Sequence, residues 1–284
     1  MVNLTLKDLF SEKFRMVLVI LGLTVSLLTV HIGVGMVTGA VDQTTTIIDH
    51  GDYEVYIIQS NRPNIMFGGS VSDEMYNKTK KISGVEQVDK FITDWVGVEY
   101  KDEFAGVAIM GYKIKTEYFE PWNLIECEKD DIKKNNSIII DRLITKHFPE
   151  IKVDSKLKSG AFDTKLKVKG FTENVQRFGN AIMWTNFETA KSLLNLGNES
   201  TYLGVKLKEG YSVDDLKDRL KRYDDEIKVL SADEMRESIT NTILYDFGIA
   251  FSIGILAVMG FFVAMIIITI TLYQSILQKI PELV

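Results

Sequence analysis

The chain has 284 residues, of which 46% are hydrophobic and 25% are charged, and its formal net charge is −6. This acidic balance excludes an extended nucleic-acid-binding surface, so we expect no nucleic-acid partner. The single cysteine, Cys127, excludes an internal disulfide, and any folded domain must be held together by its own hydrophobic core.

The apolar residues are concentrated towards the two ends of the chain. Residues 16–41 and 247–278 contain no Asp, Glu, Lys or Arg. The hydrocarbon core of a bilayer is about 30 Å thick and is crossed by about 20 apolar residues in a helix. The first run is too long for the core of a signal peptide. We therefore predict two transmembrane helices, over residues 16–41 and 247–273.

The charges that flank these runs predict their orientation. Lys7, Lys13 and Arg15 precede the first run and Lys279 follows the second, whereas acidic residues flank the segment between them. The positive-inside rule then places both termini in the cytoplasm. We expect a multi-pass protein of the plasma or inner membrane, with residues 42–246 as a large extracytoplasmic domain.

Residues 1–15 have an amphipathic pattern. Leu6, Leu9 and Phe10 recur at helical spacing, with Lys7 and Glu12 on the opposite side. This pattern predicts a cytoplasmic helix at the membrane surface. Such a helix would either anchor the first span or meet a cytoplasmic partner.

Small residues recur four positions apart in both predicted spans. Gly22 and Ser26 form one such pair in the first span. Small residues let helix backbones approach closely in lipid. Four glycines at this spacing are predicted to pack against neighbouring membrane helices: Gly35, Gly39, Gly254 and Gly260.

The segment between the spans alternates between strand-like and helix-like stretches. A polar turn at residues 101–103 predicts a hairpin, and residues 73–82 predict a helix. Asp141 is predicted to cap a short helix. We expect an α/β (α+β) domain of two subdomains, inserted between the two transmembrane helices. Its main strands are predicted over residues 53–59, 88–100, 104–110, 137–140, 164–170, 181–184, 202–207 and 227–230.

Three capping boxes follow in order, at residues 185–188, 212–215 and 231–234, and each predicts the start of a helix. We expect the first helix to begin at Thr185 and to end at Gly197. No strong breaker follows the third box, so a continuous helix to Lys279 is predicted, roughly 65–70 Å long at 1.5 Å per residue. Such a rod could pass movement across a membrane.

The sequence contains no motif typical of catalysis. It has neither a GxxxxGK[ST] phosphate loop nor a dinucleotide-binding glycine fingerprint. The histidines His31, His50 and His147 are not at metal-ligand spacing. The acidic turn at residues 49–52 would either bind a cation or be a solvated turn. We expect no catalytic residue, no metal, no cofactor and no enzymatic activity.

Four segments resemble, in order and spacing, those of one family of membrane proteins. In residues 13–23 an arginine precedes a Leu/Ile-Gly run, and residues 137–141 are similar to a V-V-V-D-E segment. Residues 169–194 and 272–283 complete the series. Together they resemble the MacB/FtsX-type permeases of ABC transporters, and in particular DevC-like exporters.

The resemblance implies a permease subunit of an exporter, or its N-terminal half, with a MacB-like extracytoplasmic core domain. Its partners would be an ABC ATPase subunit, which hydrolyses ATP, a second permease copy, membrane lipid and an exterior partner such as a membrane-fusion protein. ATP-driven movement on the cytoplasmic side would then be passed to the exterior domain. Lys279, Pro281 and Glu282 are the candidates for contact with the ATPase.

The sequence also departs from the pattern of this family in two respects. The family has two further membrane helices after the coupling region, whereas residues 274–284 form only a cytoplasmic stub. Pro281 stands where the family usually carries a charged residue. We therefore expect a fragment, a truncated gene product or one half of a split permease.

Two other classes of function stay open at this point. A two-span membrane receptor would sense a ligand with the same extracytoplasmic domain, but it should carry a signalling module after the second span. A tethered exterior enzyme would need a catalytic motif.

Overall fold

The computed structural model describes residues 13–114, 116–159, 164–220 and 225–279. The chain divides into two compact units. The helical unit comprises Met1–Gly39 and Ile243–Val284, and the sheet unit comprises Ala40–Thr242.

In the described part of the chain, two helices are long and apolar enough to cross a membrane. Helix α1 spans Lys13–Asp49, and an 18-residue window within Val19–Asp49 has a mean hydropathy of 2.0. Helix α6 spans Ile249–Lys279, and an 18-residue window within Ile249–Tyr273 has a mean hydropathy of 2.8. Helix α1 contains the first predicted span, and α6 contains the second from Ile249 onward, two residues later than predicted. Helix α1 also continues without interruption into the residues of the sheet unit.

The prediction of one continuous helix from residue 231 to Lys279 is wrong. Helix α5 covers only Ala232–Asn241, and a π-helical turn follows over Thr242–Asp246. Gly248 then adopts φ 67°, and its N–H donates to the carbonyl of Tyr245 at 3.1 Å. A left-handed residue cannot continue a right-handed helix, and glycine adopts that conformation at little cost. The sequence therefore holds a helix break immediately before α6.

The strands of the sheet unit are β1 (Val55–Gln59), β2 (Val71–Ser72), β3 (Val85–Tyr100), β4 (Glu103–Tyr112), β5 (Leu124–Ile125), β6 (Ser137–Asp141), β7 (Lys156–Ser159), β8 (Lys165–Thr172), β9 (Gln176–Arg177), β10 (Asn180–Asn186), β11 (Glu199–Ser200), β12 (Tyr202–Leu207) and β13 (Ile227–Ser231). Within the described residues, eleven of them form one sheet, and β2 and β11 form a separate small sheet. The main path of the large sheet is β13-β1-β12-β3-β4-β10-β6-β8-β5. Strand β7 pairs with both β3 and β8, and β9 pairs with β10.

The predicted hairpin is confirmed as the long pair of β3 and β4. Tyr100 faces Glu103 across a two-residue loop. The loop residues Lys101 and Asp102 have φ 48° and 68°, as a type I′ turn requires at both of its central positions. The twist of this turn matches the twist of the strands, which keeps the two strands in register up to Tyr112.

Hydrophobic side chains of the described residues pack against this sheet in clusters that include the following two. One core contains Ile109, Ile140 and Met183 with residues of the short helix α3 (Phe187–Leu193). Another core is built from β1 and β12, covered by α2 (Asp73–Lys80) and α4 (Val213–Leu220). The predicted mixed α/β class is confirmed, whereas Ala40–Thr242 form one compact unit and the division into two subdomains stays a prediction.

An aromatic layer contributes to the other side of the sheet. Side chains alternate between the faces of a strand, so Phe91 points away from its neighbour Ile92, which lies in the larger core. Phe91 stacks on Tyr202 with 4.8 Å between ring centroids. Trp184 is fully buried and packs edge-on against Tyr112.

The first capping box opens its helix one residue later than predicted. Asn186, not Thr185, is the N-cap of α3, since its side chain accepts from the N–H of Thr189 at 2.8 Å. Thr185 instead donates across the sheet to the carbonyl of Ser137. The helix ends at Leu193, with Leu194 as its C-cap, rather than at Gly197. The second helix begins at Val213 as predicted, and the third capping box is confirmed in full.

We predict that Asn186→Ala destabilises the sheet unit by about 2 kcal/mol, because the helix loses its cap and buried carbonyls lose their donor. Asn186 also donates to the carbonyls of Ile132 and Lys134, at 2.8 and 3.0 Å. Thermal unfolding of the purified full chain in detergent measures the effect. The exposed Asn135 provides the control Asn135→Ala. Equal effects of the two variants on the unfolding temperature would contradict the role of Asn186 as the N-cap of α3.

Candidate membrane-proximal junction

The chain enters and leaves the sheet unit at neighbouring positions. Strands β1 and β13 are antiparallel neighbours, and Val55 pairs with Ser231. Helix α1 ends at Asp49, shortly before β1, and α5 begins at Ala232, directly after β13. We call the surrounding contacts the junction; its residues are Asp49, Asp52, Glu54, Asn64, Lys206, Lys217, Ser231, Glu234, Arg236, Ser238 and Thr242.

An ion pair joins the end of α1 to α5. Arg236 Nε donates to Asp49 Oδ1 at 2.7 Å, and its Nη1 donates to Asp233 Oδ1 at 2.8 Å. The hydrogen bond to Asp49 holds the pKa of the Arg236 guanidinium above its ordinary value. A carboxylate at the C-terminus of a helix is unfavourable because of the helix dipole. Arg236 supplies the cation that this helix end otherwise lacks.

A second ion pair fixes the start of α5 against α4. Lys217 Nζ lies 2.5 Å from Glu234 Oε2. Glu234 also accepts from the backbone N–H of Ser231 at 2.7 Å, which closes the capping box. The Lys217 ammonium, followed by the Ser231 N–H, lowers the pKa of Glu234 below its ordinary value of 4.5.

Lys206 connects β12 with the segment that leads from α1 into β1. Its Nζ lies 2.7 Å from Asp52 Oδ1 and 2.9 Å from Glu54 Oε1. Burial lowers the pKa of Lys206, but the hydrogen bonds to Asp52 and Glu54 outweigh it and leave that pKa raised. The backbone carbonyl of Glu54 accepts from the N–H of Ala232 at 2.9 Å. The entry and exit segments are therefore tied directly to each other.

A buried asparagine attaches the loop after β1 to α5. Asn64 is fully buried, and its Nδ2 donates to Thr242 Oγ1 at 3.0 Å and to the carbonyl of Ser238 at 3.3 Å. Ser238 Oγ donates in turn to the carbonyl of Pro63 at 2.7 Å. These hydrogen bonds hold the last turn of α5 against the loop that follows β1.

The acidic turn at residues 49–52 is occupied by protein cations. Asp49 pairs with Arg236, and Asp52 pairs with Lys206. His50 stacks on Trp122, with 3.9 Å between ring centroids and 11° between the planes. In the described ranges no group of three His, Cys, Asp or Glu could hold a metal ion. These ion pairs and the ring contact connect the end of α1 to the neighbouring elements of the sheet unit.

Cys127 has the properties of a structural thiol. It is half-buried, and burial raises the pKa of its thiol above the ordinary value. The thiolate is the reactive form of cysteine, so a raised pKa makes the side chain less nucleophilic.

The predicted helix-packing residues differ in their surroundings. Gly260 lies against Ser26, whose Cβ is 3.5 Å from the position of a Cβ on Gly260. Gly35, Gly39 and Gly254 have no described atom within 4 Å of that position. For these three glycines, contact with a further membrane helix stays a prediction.

The helical unit contains packing contacts that sequence reasoning did not single out. Ser26 Oγ donates to the carbonyl of Gly260 at 3.2 Å, and also to Gly22 within its own helix at 2.9 Å. The side chain of Ile267 fills the space over Gly22, and that of Ile253 lies against Gly33. The pair Gly22 and Ser26 was the available sequence signal, since small residues permit such close approach.

The structure describes one of the three residues predicted to contact an ATPase. Lys279 is the last residue of α6, and Pro281 and Glu282 lie outside the described residues. The predicted amphipathic helix over residues 1–15 lies mostly outside them as well.

Comparison with known protein families identifies the family to which this chain belongs. The sequence model of the MacB-like periplasmic core domain matches residues 16–223, which is most of the chain. The chain belongs to this family. It carries the MacB-like periplasmic domain of an ABC-type transporter permease, as the sequence motifs predicted.

Solved structures of two related domains are similar to this chain. The periplasmic region of MacB from Actinobacillus actinomycetemcomitans is 12% identical with a TM-score of 0.48, and the match covers 68% of this chain and 94% of that one. The extracellular domain of YknZ, a noncanonic ABC-type transporter from Gram-positive bacteria, is 15% identical with a TM-score of 0.43, covering 63% and 98%. A search of curated protein sequences finds no match.

We predict that the Glu234 contacts make the junction sensitive to acid. A carboxyl group whose pKa is lowered on folding adds stability above its unfolded pKa, near 4.5 here, and loses it as the pH falls through the folded pKa. Glu234→Gln should therefore lower the unfolding temperature more at pH 7 than at pH 3. The exposed Glu209 provides the control Glu209→Gln, and an equal loss at both pH values would contradict the prediction.

We predict that Gly260→Ile weakens the pairing of the two long helices by about 1–3 kcal/mol, because the larger side chain overpacks the contact with Ser26. Gly254→Ile is the matched control on the same helix, where the space is open. Unfolding of the full chain in mixed detergent micelles measures both variants. Equal losses of unfolding free energy in the two variants would show that Gly260 does not contribute more than Gly254 to the pairing of the two helices.

Proposed function

We propose that this chain is a permease subunit, or the N-terminal half of one, in an ABC-type exporter or mechanotransmission complex. Motion driven by a separate ATPase subunit is passed through the membrane helices to the sheet unit. The chain itself performs no catalytic step, and ATP is hydrolysed in the separate subunit.

The observation that carries this proposal is the way α1 ends. The helix runs without a break from Lys13 to Asp49, and Ile47 and Ile48 in its last turn are buried. Asp49 is then held by Arg236. An uninterrupted helix transmits displacement along its axis, so movement of α1 would be delivered to the junction and to strands β1 and β13.

The remaining assignments of the proposal concern topology and partners. Both termini lie in the cytoplasm, and the sheet unit lies outside it. Lys279, Pro281 and Glu282 contact the ATPase, and Gly35, Gly39 and Gly254 pack against further membrane helices. A second copy of the permease completes the complex, and an exterior partner such as a membrane-fusion protein receives the motion. The flanking basic residues and the family match support this arrangement.

We predict that breaking the Arg236–Asp49 pair uncouples the sheet unit from the ATPase. Arg236→Met and Asp49→Asn should each reduce the ATP-dependent change in hydrogen exchange of β1 and β13 about two- to fivefold, the range expected for a partly exposed ion pair. The double variant should be no worse than Arg236→Met alone, because that variant already removes the pair with Asp49. Membranes that contain the chain and its ATPase, with and without ATP, provide the measurement.

The surface pair Lys129–Glu120 is the matched control, since its side chains are also partly exposed. Lys129→Met and Glu120→Gln should leave the ATP-dependent change intact. If ATP alters no exchange in the wild type, or if both pairs have the same effect, the proposed route of transmission is wrong.

A further inference from the structure

Six strands of the large sheet close into a ring. Strand β3 pairs with β4, β4 with β10, β10 with β6, β6 with β8, β8 with β7, and β7 again with β3. The core that contains Ile109, Ile140 and Met183 also contains Leu157 of β7 and Leu166 of β8, so this core lies inside the ring. Side chains alternate between the two faces of a strand. The residues on either side of Leu157 and Leu166 in their strands therefore point outward.

The outward face of β7 and β8 carries five lysines. Lys156 lies directly opposite Lys167, and Lys158 lies directly opposite Lys165. Lys169 follows two residues further along β8. We call these five residues the lysine patch. The chain as a whole has a formal net charge of −6, so a generally basic composition does not explain this concentration of positive charge.

Two Lys–Lys pairs across one ladder cost stability. Directly opposite residues of an antiparallel pair have Cβ atoms about 4.5–5.5 Å apart, and like charges at this distance destabilise the sheet. Asp154 relieves part of the repulsion, because its Oδ1 lies 2.8 Å from Lys167 Nζ and 3.7 Å from Lys169 Nζ. Among the described residues, no carboxylate lies within 4.0 Å of the ammonium groups of the other three lysines.

Protection of a sheet edge does not account for the lysine patch. Lysines on an edge strand prevent that edge from pairing with other strands. Strand β7, however, pairs with β3 on one side and with β8 on the other, and β8 pairs with both β7 and β6. A repulsive arrangement on interior strands is typical of a surface that serves binding at the expense of stability.

The spacing of the lysine patch matches that of an extended acidic chain. Lys156 and Lys158 are two residues apart on one strand, which is about 6–7 Å along the strand axis. Alternate side chains of an extended polypeptide repeat at the same distance. A segment that lies along β7 and β8 would place one carboxylate over each Lys–Lys pair. The two oxygens of that carboxylate would accept hydrogen bonds from both ammonium groups.

The same outward face continues over β3 to exposed aromatic rings. Lys158 lies opposite Glu99 of β3, and Glu99 lies opposite Phe104 of β4. Phe104 is 67% exposed, and its ring covers Gly97. Trp95, two residues before Gly97 on the same face, is 41% exposed. Aromatic side chains are enriched where proteins bind one another, so these rings beside the lysine patch favour a protein partner over a small anion.

We propose that the lysine patch binds an extended acidic segment of another protein, whose carboxylates at alternate positions lie over the pairs Lys156–Lys167 and Lys158–Lys165. The charge of the patch selects an acidic occupant, and its two-residue repeat selects an extended polypeptide. This inference rests on the proposed function, which supplies an exterior partner. It gives that partner a docking surface on the sheet unit and an acidic composition.

Peptide binding to the purified full chain in phosphatidylcholine nanodiscs tests the proposal. The probe is a fluorescein-labelled peptide of about ten residues in which Glu and Thr alternate, so that its carboxylates repeat at the strand spacing. Fluorescence anisotropy measures its dissociation constant. The double variant Lys156→Glu/Lys165→Glu should raise this constant about tenfold, because it replaces two attractive charges by two repulsive ones.

The control variant Lys80→Glu/Lys208→Glu has the same net charge and changes two exposed lysines outside the patch. It should alter the dissociation constant less than about twofold in about 0.1 M salt, where charges more than about 10 Å apart are largely screened. Equal effects of the two double variants would show that the peptide responds to net charge alone, and the proposal would be wrong.

Thermal unfolding separates a loss of binding from a loss of folding. In Lys156→Glu/Lys165→Glu each new carboxylate lies opposite a remaining lysine, so attraction replaces repulsion across the ladder. This variant should unfold about 1–3 °C above the wild type although it binds the peptide less well. The neutral variant Lys156→Gln/Lys165→Gln should unfold no lower than the wild type and should raise the dissociation constant about threefold. Unchanged binding in the neutral variant would overturn the proposal.

Competition identifies the kind of occupant. The competitors are a peptide of the same composition with its Glu residues in one block, inorganic polyphosphate, and vesicles of phosphatidylglycerol. If any of them displaces the probe as well as the unlabelled alternating peptide does, at equal concentration of negative charge, the patch binds anions generally and the proposal is wrong.

These measurements use neither the ATPase nor ATP, so they fail independently of the proposed transmission. If the peptide binds as expected but ATP alters no hydrogen exchange in β1 and β13, the transmission is wrong and the lysine patch stands. If the peptide does not bind, this inference is wrong and the proposed transmission is unaffected.

Discussion

The antiparallel pairing of β1 with β13 is the constraint on which the organisation of this protein depends. These strands are far apart in sequence, yet Val55 and Ser231 lie side by side at one margin of the sheet. Because α1 leads into one strand and α5 follows the other, the pairing forces the two connections to meet. The charged and polar contacts of the junction are possible only because this backbone ladder has already brought their residues together.

The junction and the cores use different physical interactions. Residues such as Ile140 and Leu203 are fully buried, and their removal from water contributes the larger part of the stability. At the junction, Arg236 and Asp49 remain partly exposed, and an exposed ion pair stabilises by at most about 1 kcal/mol. Contacts that are individually weak and partly hydrated can break and re-form while the cores stay intact. Under the proposed function, this difference would let the junction contacts rearrange while the sheet and its cores stay rigid.

The sequence predicted what is local and missed what depends on contacts distant in the chain. The Ser231 capping box, the turn at residues 101–103 and the two apolar helices were recognisable because each signal lies within a short stretch. The cap of α3 was placed one residue early because Thr185 and Asn186 are both good caps, and only the strand pairing with Ser137 occupies the threonine. The ion pair of Asp49 with Arg236 joins residues 187 positions apart, so no pattern within a short stretch of sequence predicts it. The break at Gly248 had a local signal, a single glycine, but glycine is also tolerated inside membrane helices.

That break changes how the two connections can act under the proposed function. In the described part of the chain, α1 continues without interruption to the junction, whereas α5 and α6 are separated by a π-helical turn and the left-handed Gly248. A regular helix resists bending, while a few residues at the end of an element can absorb a change of direction. Under the proposed function, displacement would therefore reach β1 through a stiff connection, while the connection that leaves β13 would contain a point of adjustment. Because β1 and β13 are paired, α5 would follow a movement of β1, and the break after α5 would absorb the change of direction while the ladder stays paired.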